Sequence, residues 1–138
     1  MPDTAAELLG VPRVLVVDDE PTFVGVVVHV LSRAGLEVKS AASGSAALEQ
    51  MRDNPFDLVM TDHSMPGMSG LELVRELHRS SCSATVLVCS GLITPAVAEE
   101  YRRLGVHSFI PKPIHIGQIA QTVTEVLKTK GFELPVTG

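Results

Sequence analysis

Short strand-like segments recur along the chain, and each is followed by a stretch with helical spacing. Most of them are continuous apolar runs without polar alternation, which is typical of strands buried on both faces of a parallel sheet. A strand of this kind ends wherever a charged, proline or glycine residue interrupts the run. The pattern predicts five strands, at positions 13–17, 37–41, 58–61, 85–89 and 108–110.

The segments after the predicted strands carry signals for helix ends. Ser43 and Thr94 are suitable N-caps, proline follows Thr94 at the first helical position, and Gly35 suits a helix C-terminus. The predicted helices cover positions 21–34, 44–52, 71–79, 95–104 and 116–128. Strand and helix alternating in this way predict an α/β fold, a doubly wound five-stranded parallel sheet with helices on both faces.

Length and composition fit one globular domain. The 138 residues leave no room for a second domain of ordinary size, and 45% apolar with 20% charged residues is ordinary for a packed protein. We expect a lead-in at 1–12, the folded domain at 13–130 and a tail at 131–138. A net charge of −5 without a basic run argues against direct binding of nucleic acid.

Cysteine spacing and targeting signals bear on the compartment. Cys82 and Cys89 lie seven residues apart and form no CxxC pair, so a zinc site is not expected. The first residues lack the basic and apolar regions of a secretory signal, and no apolar stretch is long enough to cross a bilayer. The expected location is therefore the cytoplasm, without membrane contact.

Residues whose side chains can bind a ligand or react follow the predicted strands. The acids Asp18 and Asp19 follow the first strand, Asp62 the third, Ser90 the fourth and Lys112 the fifth. Each alone has a plainer interpretation as a turn residue, an N-cap or a surface charge. Together they would meet at the carboxyl edge of the sheet, where such folds bind ligands. Carboxylates that lie so close together repel unless a cation or raised pKa values neutralise them. Oxygen ligands beside a lysine and a hydroxyl suit Mg²⁺ and phosphoryl transfer to a carboxylate.

Four segments of the sequence, taken in their order along the chain, resemble the receiver domain of two-component response regulators. The resemblance covers roughly residues 12–130 and implies a flavodoxin-like strand order, 2-1-3-4-5. Any one of the motifs is weak evidence, but all four lie on the expected elements. They are VLVVDDE at 14–20, LVMTDHSMPGMSG at 58–70, VLVCSG at 86–91 and SFIPKP at 108–113.

The resemblance implies a role for each matched position. Asp62 is similar to the phospho-acceptor of the family. Asp19, Asp62 and the backbone carbonyl of Ser64 match the direct Mg²⁺ ligands, and Asp18 matches the acid that holds the metal, often through water. Lys112 matches the lysine that pairs with the acceptor and then with the phosphoryl oxygens.

Further positions match the part of the family that responds to phosphorylation. Ser90 stands at the switch hydroxyl, which also contacts the phosphoryl group, and Phe109 stands at the switch aromatic. Phe109 has no hydroxyl, so it can rotate inward but cannot donate a hydrogen bond. The neighbour of the acceptor, His63, is expected to face solvent in a loop. Ser64 and Leu92 match the positions that flank the attacking water in this family, and Leu92 is expected to prolong the life of the phosphoryl group.

The implied function is a stand-alone receiver, phosphorylated by a sensor histidine kinase or a histidine phosphotransfer protein. It would not be an enzyme beyond its own phosphorylation and dephosphorylation. One alternative is a receiver from a longer response regulator or hybrid kinase with an output domain beyond Gly138. A small hydrolase would need a cap, for which the chain has no length, and a pseudo-receiver would lack an acid or the lysine.

Two surfaces are expected to meet partners. The downstream protein should bind the helix from Pro95 to Leu104, the strand from Ser108 to Ile110 and the helix from Ile116 to Lys128, with the chain a monomer or weak dimer. The first helix carries apolar residues over an arc wider than its core needs. Its centre (Phe23, Val27, Val30, Leu31 and Ala34) should be core, which leaves Val24 and Val28 at a rim for kinase docking.

Overall fold

The computed structural model describes residues 10–91, 93–112 and 115–131. Five strands and five helices alternate within these ranges. The strands are β1 (Arg13–Val17), β2 (Glu37–Ala41), β3 (Leu58–Asp62), β4 (Thr85–Ser90) and β5 (Ser108–Pro111). The helices are α1 (Pro21–Arg33), α2 (Gly44–Asp53), α3 (Gly70–Arg79), α4 (Pro95–Arg103) and α5 (Ile116–Thr129). Most of the predicted lead-in and nearly all of the predicted tail lie outside the described residues.

The strands form one parallel sheet in the order β2-β1-β3-β4-β5. This arrangement confirms the predicted doubly wound fold and its strand order. The chain reverses its direction of progress beside β1, so the carboxyl ends of β1 and β3 lie next to each other. A crevice at this reversal is where open α/β sheets bind ligands.

Alternate residues of each strand pack into cores on opposite faces of the sheet. On one face, Val14 and Val16 of β1 meet α1 and α5, whose Val27 and Val123 are fully buried. On the other face, Leu15 meets the helices α2 and α3, and α4 packs in a smaller cluster beside them. Burial on both faces explains why β1, β3 and most of β4 are continuous apolar runs, whereas the edge strand β2 is partly exposed and carries charged residues.

Capping residues fix the starts of the helices. Ser43 and Thr94 accept hydrogen bonds from the backbone of the first turn, as predicted, and Ser69 forms a capping box with Glu72. Strands β3, β4 and β5 each run one residue beyond the predicted end, because parallel pairing continues through Asp62 and Ser90. Beyond that pairing, the Lys112 N–H donates to the Ser90 carbonyl at 3.0 Å. Among the described residues, no helix has the length and apolarity needed to cross a bilayer.

Candidate functional site

Three carboxylates meet at the carboxyl edge of the sheet. Asp18 and Asp19 follow β1, Asp62 ends β3, and one oxygen from each acid lies within 4.8 Å of the others. Asp18 and Asp62 are buried, whereas Asp19 is exposed at the mouth of the site. The backbone N–H of Glu20 donates to Asp18 Oδ1 at 2.9 Å, which fixes that carboxylate. The neighbouring strands thus bring together the acids that the sequence places at strand ends.

Lys112 reaches into this acidic site from the end of β5. Its Nζ lies 3.0 Å from Asp18 Oδ2 and 3.5 Å from Asp62 Oδ1. The closer partner is therefore Asp18, although the lysine lies within ion-pair range of both buried acids. The ring centroid of Phe23 on α1 lies 4.6 Å from the same Nζ, a contact the sequence did not predict.

The charges of the site shift the protonation of its members. Burial raises the pKa of Asp62 above its ordinary value against the opposing charge of Lys112, and the charge of Asp18 raises it further. Burial acts to lower the pKa of Lys112, but the hydrogen bond to Asp18 and the charges of Asp18 and Asp62 outweigh it, so that pKa is raised. One lysine for three acids leaves the site short of positive charge.

This donor set fits a hard divalent cation. Carboxylate oxygens that converge at an open, partly exposed edge suit Mg²⁺, which keeps several waters and shares the rest of its shell with phosphoryl oxygens. Ser64 lies exposed in the loop after β3, and hydrogen bonding from its backbone acts to lower the pKa of Asp62 against the effect of burial. The direct ligation by the Ser64 carbonyl stays a prediction.

Comparison with known proteins agrees with this geometry. The sequence model of the response regulator receiver domain matches residues 14–124, about four fifths of the chain. The chain belongs to the response regulator receiver family. The chemotaxis protein CheY of Thermotoga maritima is 30% identical over 117 residues, which cover 84% of this chain and 98% of that protein. A structure of the chemotaxis protein CheY4 of Vibrio cholerae matches with a TM-score of 0.79 at 30% identity, covering 84% of this chain and 98% of that chain.

Other relatives of this receiver are much longer. The sensor histidine kinase GacS of Pseudomonas protegens is 38% identical over 128 residues, which are 89% of this chain and 14% of the kinase. The response regulator receiver protein Anae109_2439 of Anaeromyxobacter sp. is 36% identical over 78% of this chain and 45% of its own length. The chain therefore spans less than half of these two relatives.

The two predicted switch positions lie on β4 and β5. Ser90 ends β4 and is buried, and Phe109 on β5 is half-buried between two residues of α4. The ring of Tyr101 meets it edge-on at 5.9 Å, and the guanidinium of Arg102 lies 5.8 Å from its centroid. Leu92, the residue expected to shield the phosphoryl group, lies outside the described residues.

The prediction that His63 faces solvent is wrong. Its side chain is half-buried, and its Nδ1 lies 2.6 Å from the hydroxyl of Tyr101, with the imidazole tautomer setting which group donates. Tyr101 is fully buried; burial raises its pKa, and the negative charge of Asp62 raises it further. The sequence analysis missed Tyr101, although its spacing from Val97 and Leu104 marks an apolar stripe on the helix.

The predicted docking pair lies on the partly buried rim of α1. Val24 and Val28 are half-buried, so they are less open to solvent than the sequence suggested. The exposed valine of the helix is Val26, at 36% exposure, and Ile116 at the start of α5 is 54% exposed.

Proposed function

We propose that this chain accepts a phosphoryl group on Asp62 from a phosphohistidine, in a reaction that requires Mg²⁺. The observation that best supports this proposal is that one carboxylate oxygen each of Asp18, Asp19 and Asp62 lies within 4.8 Å of the others. Lys112 lies in ion-pair range of the two buried acids. Two further acids and a lysine around one carboxylate at an open edge suit phosphoryl transfer to that carboxylate.

The proposed step is an in-line displacement. A carboxylate oxygen of Asp62 attacks the phosphorus, the phosphorus–nitrogen bond breaks, and the imidazole leaves with the bonding electron pair. Asp18 and Asp19 would hold Mg²⁺, which supplies positive charge to the phosphoryl oxygens when it is bound. Lys112 would leave its ion pair with Asp62 to contact the new phosphoryl group, and the Ser90 hydroxyl would contact it from β4. We propose no further substrate for this chain.

A second architecture is favoured by one specific comparison. Because the chain is 38% identical to a part of GacS that makes up 14% of that kinase, the same chemistry suits a receiver within a hybrid kinase. In that case the phosphoryl donor is a histidine on the same polypeptide or on its dimer partner. Phosphorylation by a separate kinase in solution would favour the independent receiver instead.

The function is tested with a small phosphoryl donor. Acetyl phosphate with Mg²⁺ should add the mass of one phosphoryl group to the intact chain, and chelation of the metal should prevent it. Trypsin digestion after labelling should place the modification on the peptide that contains Asp62. A chain that gains no mass from acetyl phosphate or from any phosphorylated histidine protein would contradict the proposal.

Lys112→Ala should separate metal binding from the conformational response. The variant should bind Mg²⁺ at least as tightly as the parent in calorimetry, because a competing positive charge 3.0 Å from Asp18 is gone. Its labelled form should lose the change in amide hydrogen exchange across β5 and α5, since the lysine no longer contacts the phosphoryl group. The matched control is Lys39→Ala, an exposed lysine on β2, which should respond as the parent does. A normal response in Lys112→Ala would contradict the role given to the lysine.

The downstream partner is proposed to bind the face formed by α4, β5 and α5. Ser90 ends β4, the strand beside the one that carries Asp62. Phe109 on β5 contacts Tyr101 and Arg102 of α4, so a shift of Phe109 would reach the face directly. With beryllofluoride as a phosphoryl mimic, amide exchange should change across Pro95–Arg103 and Ile116–Thr129. Changes confined to α1 would contradict this assignment.

The double change Val24→Ser with Val28→Ser should slow transfer from a histidine kinase that phosphorylates the parent. A loss of about 1.4 kcal/mol of apolar contact would slow it roughly tenfold at low receiver concentration. Labelling by acetyl phosphate should keep its rate, because neither side chain is among the acids or the lysine. Val26→Ser is the matched control on the exposed side of the same helix. Equal slowing of both donors would show that the two valines are only structural.

A further inference from the structure

The neighbour of the proposed phospho-acceptor is joined to the proposed output helix by a direct polar contact. His63 follows Asp62 in the chain, and its Nδ1 shares a 2.6 Å hydrogen bond with the hydroxyl of Tyr101. The two residues are 38 positions apart in sequence, and their rings also meet edge-on at a centroid distance of 5.6 Å. The bond therefore connects the loop after β3 with α4.

The hydrogen bond between His63 and Tyr101 is surrounded by closely packed residues of the protein interior. Tyr101 is the only tyrosine of the chain and is 0% exposed, in a cluster with Val88 and Val106. The N-terminus of α3 fits against the same contact, because the N–H of Gly70 donates to the His63 carbonyl at 2.9 Å. A Cβ at Gly70 would lie 3.0 Å from the Tyr101 hydroxyl oxygen. Neither ring can move far without displacing its neighbours.

The ring of Tyr101 also contacts Phe109. The two rings meet edge-on at a centroid distance of 5.9 Å. Phe109 is half-buried, whereas Tyr101 is fully buried. A movement of the Phe109 ring would therefore change its contact with Tyr101. Phe109 itself has no hydroxyl, whereas Tyr101 carries one that is already bonded to His63.

We propose that the His63–Tyr101 hydrogen bond is a latch, a positioning contact that holds α4 in its unphosphorylated arrangement and breaks when Asp62 is phosphorylated. The inference rests on the proposed function and adds a second structural connection through which phosphorylation of Asp62 can change α4. A phosphoryl group adds negative charge and three acceptor oxygens one residue from His63. Phe109 then moves inward, Tyr101 is displaced, and α4 loses its tie to the loop after β3. Two packed arrangements of this kind act as a two-state element.

The single tyrosine makes the latch directly observable. The chain has no tryptophan and one tyrosine, so tyrosine absorption and emission report on Tyr101 alone. Adding beryllofluoride with Mg²⁺ should shift both signals as the hydroxyl loses His63. Amide exchange across α4 should change in parallel. Unchanged tyrosine signals together with a normal change in α4 exchange would overturn the latch.

Variants test whether the bond itself holds α4. Tyr101→Phe removes one oxygen atom and should raise amide exchange across α4 about fivefold before any phosphoryl mimic is added, the factor for one lost hydrogen bond. Beryllofluoride should then change α4 much less than in the parent, while the change at β3 persists. His63→Ala should reproduce this behaviour, and His63→Asn should restore the parent behaviour, because its amide can reach the hydroxyl.

The double variant and a packing control separate a latch from general loosening. Tyr101→Phe combined with His63→Ala should loosen α4 no more than either change alone, because both remove the same bond. Val106→Ala loosens the same cluster without touching the bond, and beryllofluoride should still shift its tyrosine signals. Additive effects in the double variant would overturn the proposal. Absence of any mass gain with acetyl phosphate would instead remove the proposed function on which the latch rests.

Discussion

Asp62→Asn should abolish phosphorylation of this chain while leaving it folded. The substitution keeps the shape of the side chain and removes the only nucleophilic carboxylate at the end of β3, so intact mass should not change after treatment with acetyl phosphate and Mg²⁺. The parent should be converted fully under the same conditions. We expect complete loss of labelling and not only a slower rate. Asp18, the other buried acid, cannot replace Asp62 as the nucleophile, because the Glu20 N–H and Lys112 already bind its carboxylate.

A second acid controls for the chemistry of the substitution. Asp53→Asn changes an exposed carboxylate at the end of α2 and should be labelled at the parent rate. Label that persists in Asp62→Asn and maps to Asp18 or Asp19 would show that the acceptor is assigned to the wrong acid. Label that persists in Asp62→Asn on the substituted side chain itself would contradict the carboxylate mechanism altogether.

The same variant should be more stable than the parent when no metal is present. Burial raises the pKa of Asp62 above its ordinary value of 3.8. Protonation of Asp62 therefore contributes its full stability to the fold below pH 3.8, and this contribution is lost as the pH rises through the raised pKa. At pH 7 the asparagine avoids this loss, and urea unfolding in chelator should show a gain of about 1 kcal/mol. Below pH 3.8 the gain should vanish. A gain that is constant with pH would point to packing and not to charge.

The fold and the acidic site follow from local patterns in the sequence. Most strands end at or beside a charged, proline or glycine residue, and the carboxyl ends of parallel strands lie at one edge of the sheet. Residues at those ends meet whatever the details of packing are. The sequence therefore predicts that Asp18, Asp62 and Lys112 lie close together. The closer pairing of the lysine with Asp18 is seen only in the structure.

The contact between His63 and Tyr101 could not be predicted in the same way. It joins a loop and a helix 38 residues apart, and nothing in the spacing of either segment specifies the other. The stripe of Val97, Tyr101 and Leu104 indicates that the tyrosine faces inward, but burial alone does not identify its polar partner. The half-burial of Val24 and Val28 likewise depends on how α1 packs against its neighbours, which no pattern in α1 encodes.

Gly70→Ala should strongly destabilise the chain, although alanine favours helices. Gly70 is the first residue of α3, and a Cβ there would clash with the backbone oxygen of Asp62 and lie 2.9 Å from the Cα of His63. Both atoms belong to backbone at the end of a central strand, so they cannot move as a flexible side chain could. Such overpacking costs about 2–3 kcal/mol or more and exceeds the gain of about 1 kcal/mol in helix propensity. Urea unfolding measures the difference.

Gly25→Ala is the matched control for this prediction. Gly25 lies inside α1, and nothing stands within 4 Å of a Cβ built on it, so alanine there should stabilise the chain by about 0.5–1 kcal/mol. The two substitutions are chemically identical and should have opposite signs. Because the Gly70 clash pushes on the segment that carries Asp62 and His63, Gly70→Ala should also slow labelling by acetyl phosphate, whereas Gly25→Ala should not. If both alanines stabilised the chain, α3 would not lie against the end of β3 as closely as the structure places it, and the packing that holds the acceptor would have to be revised.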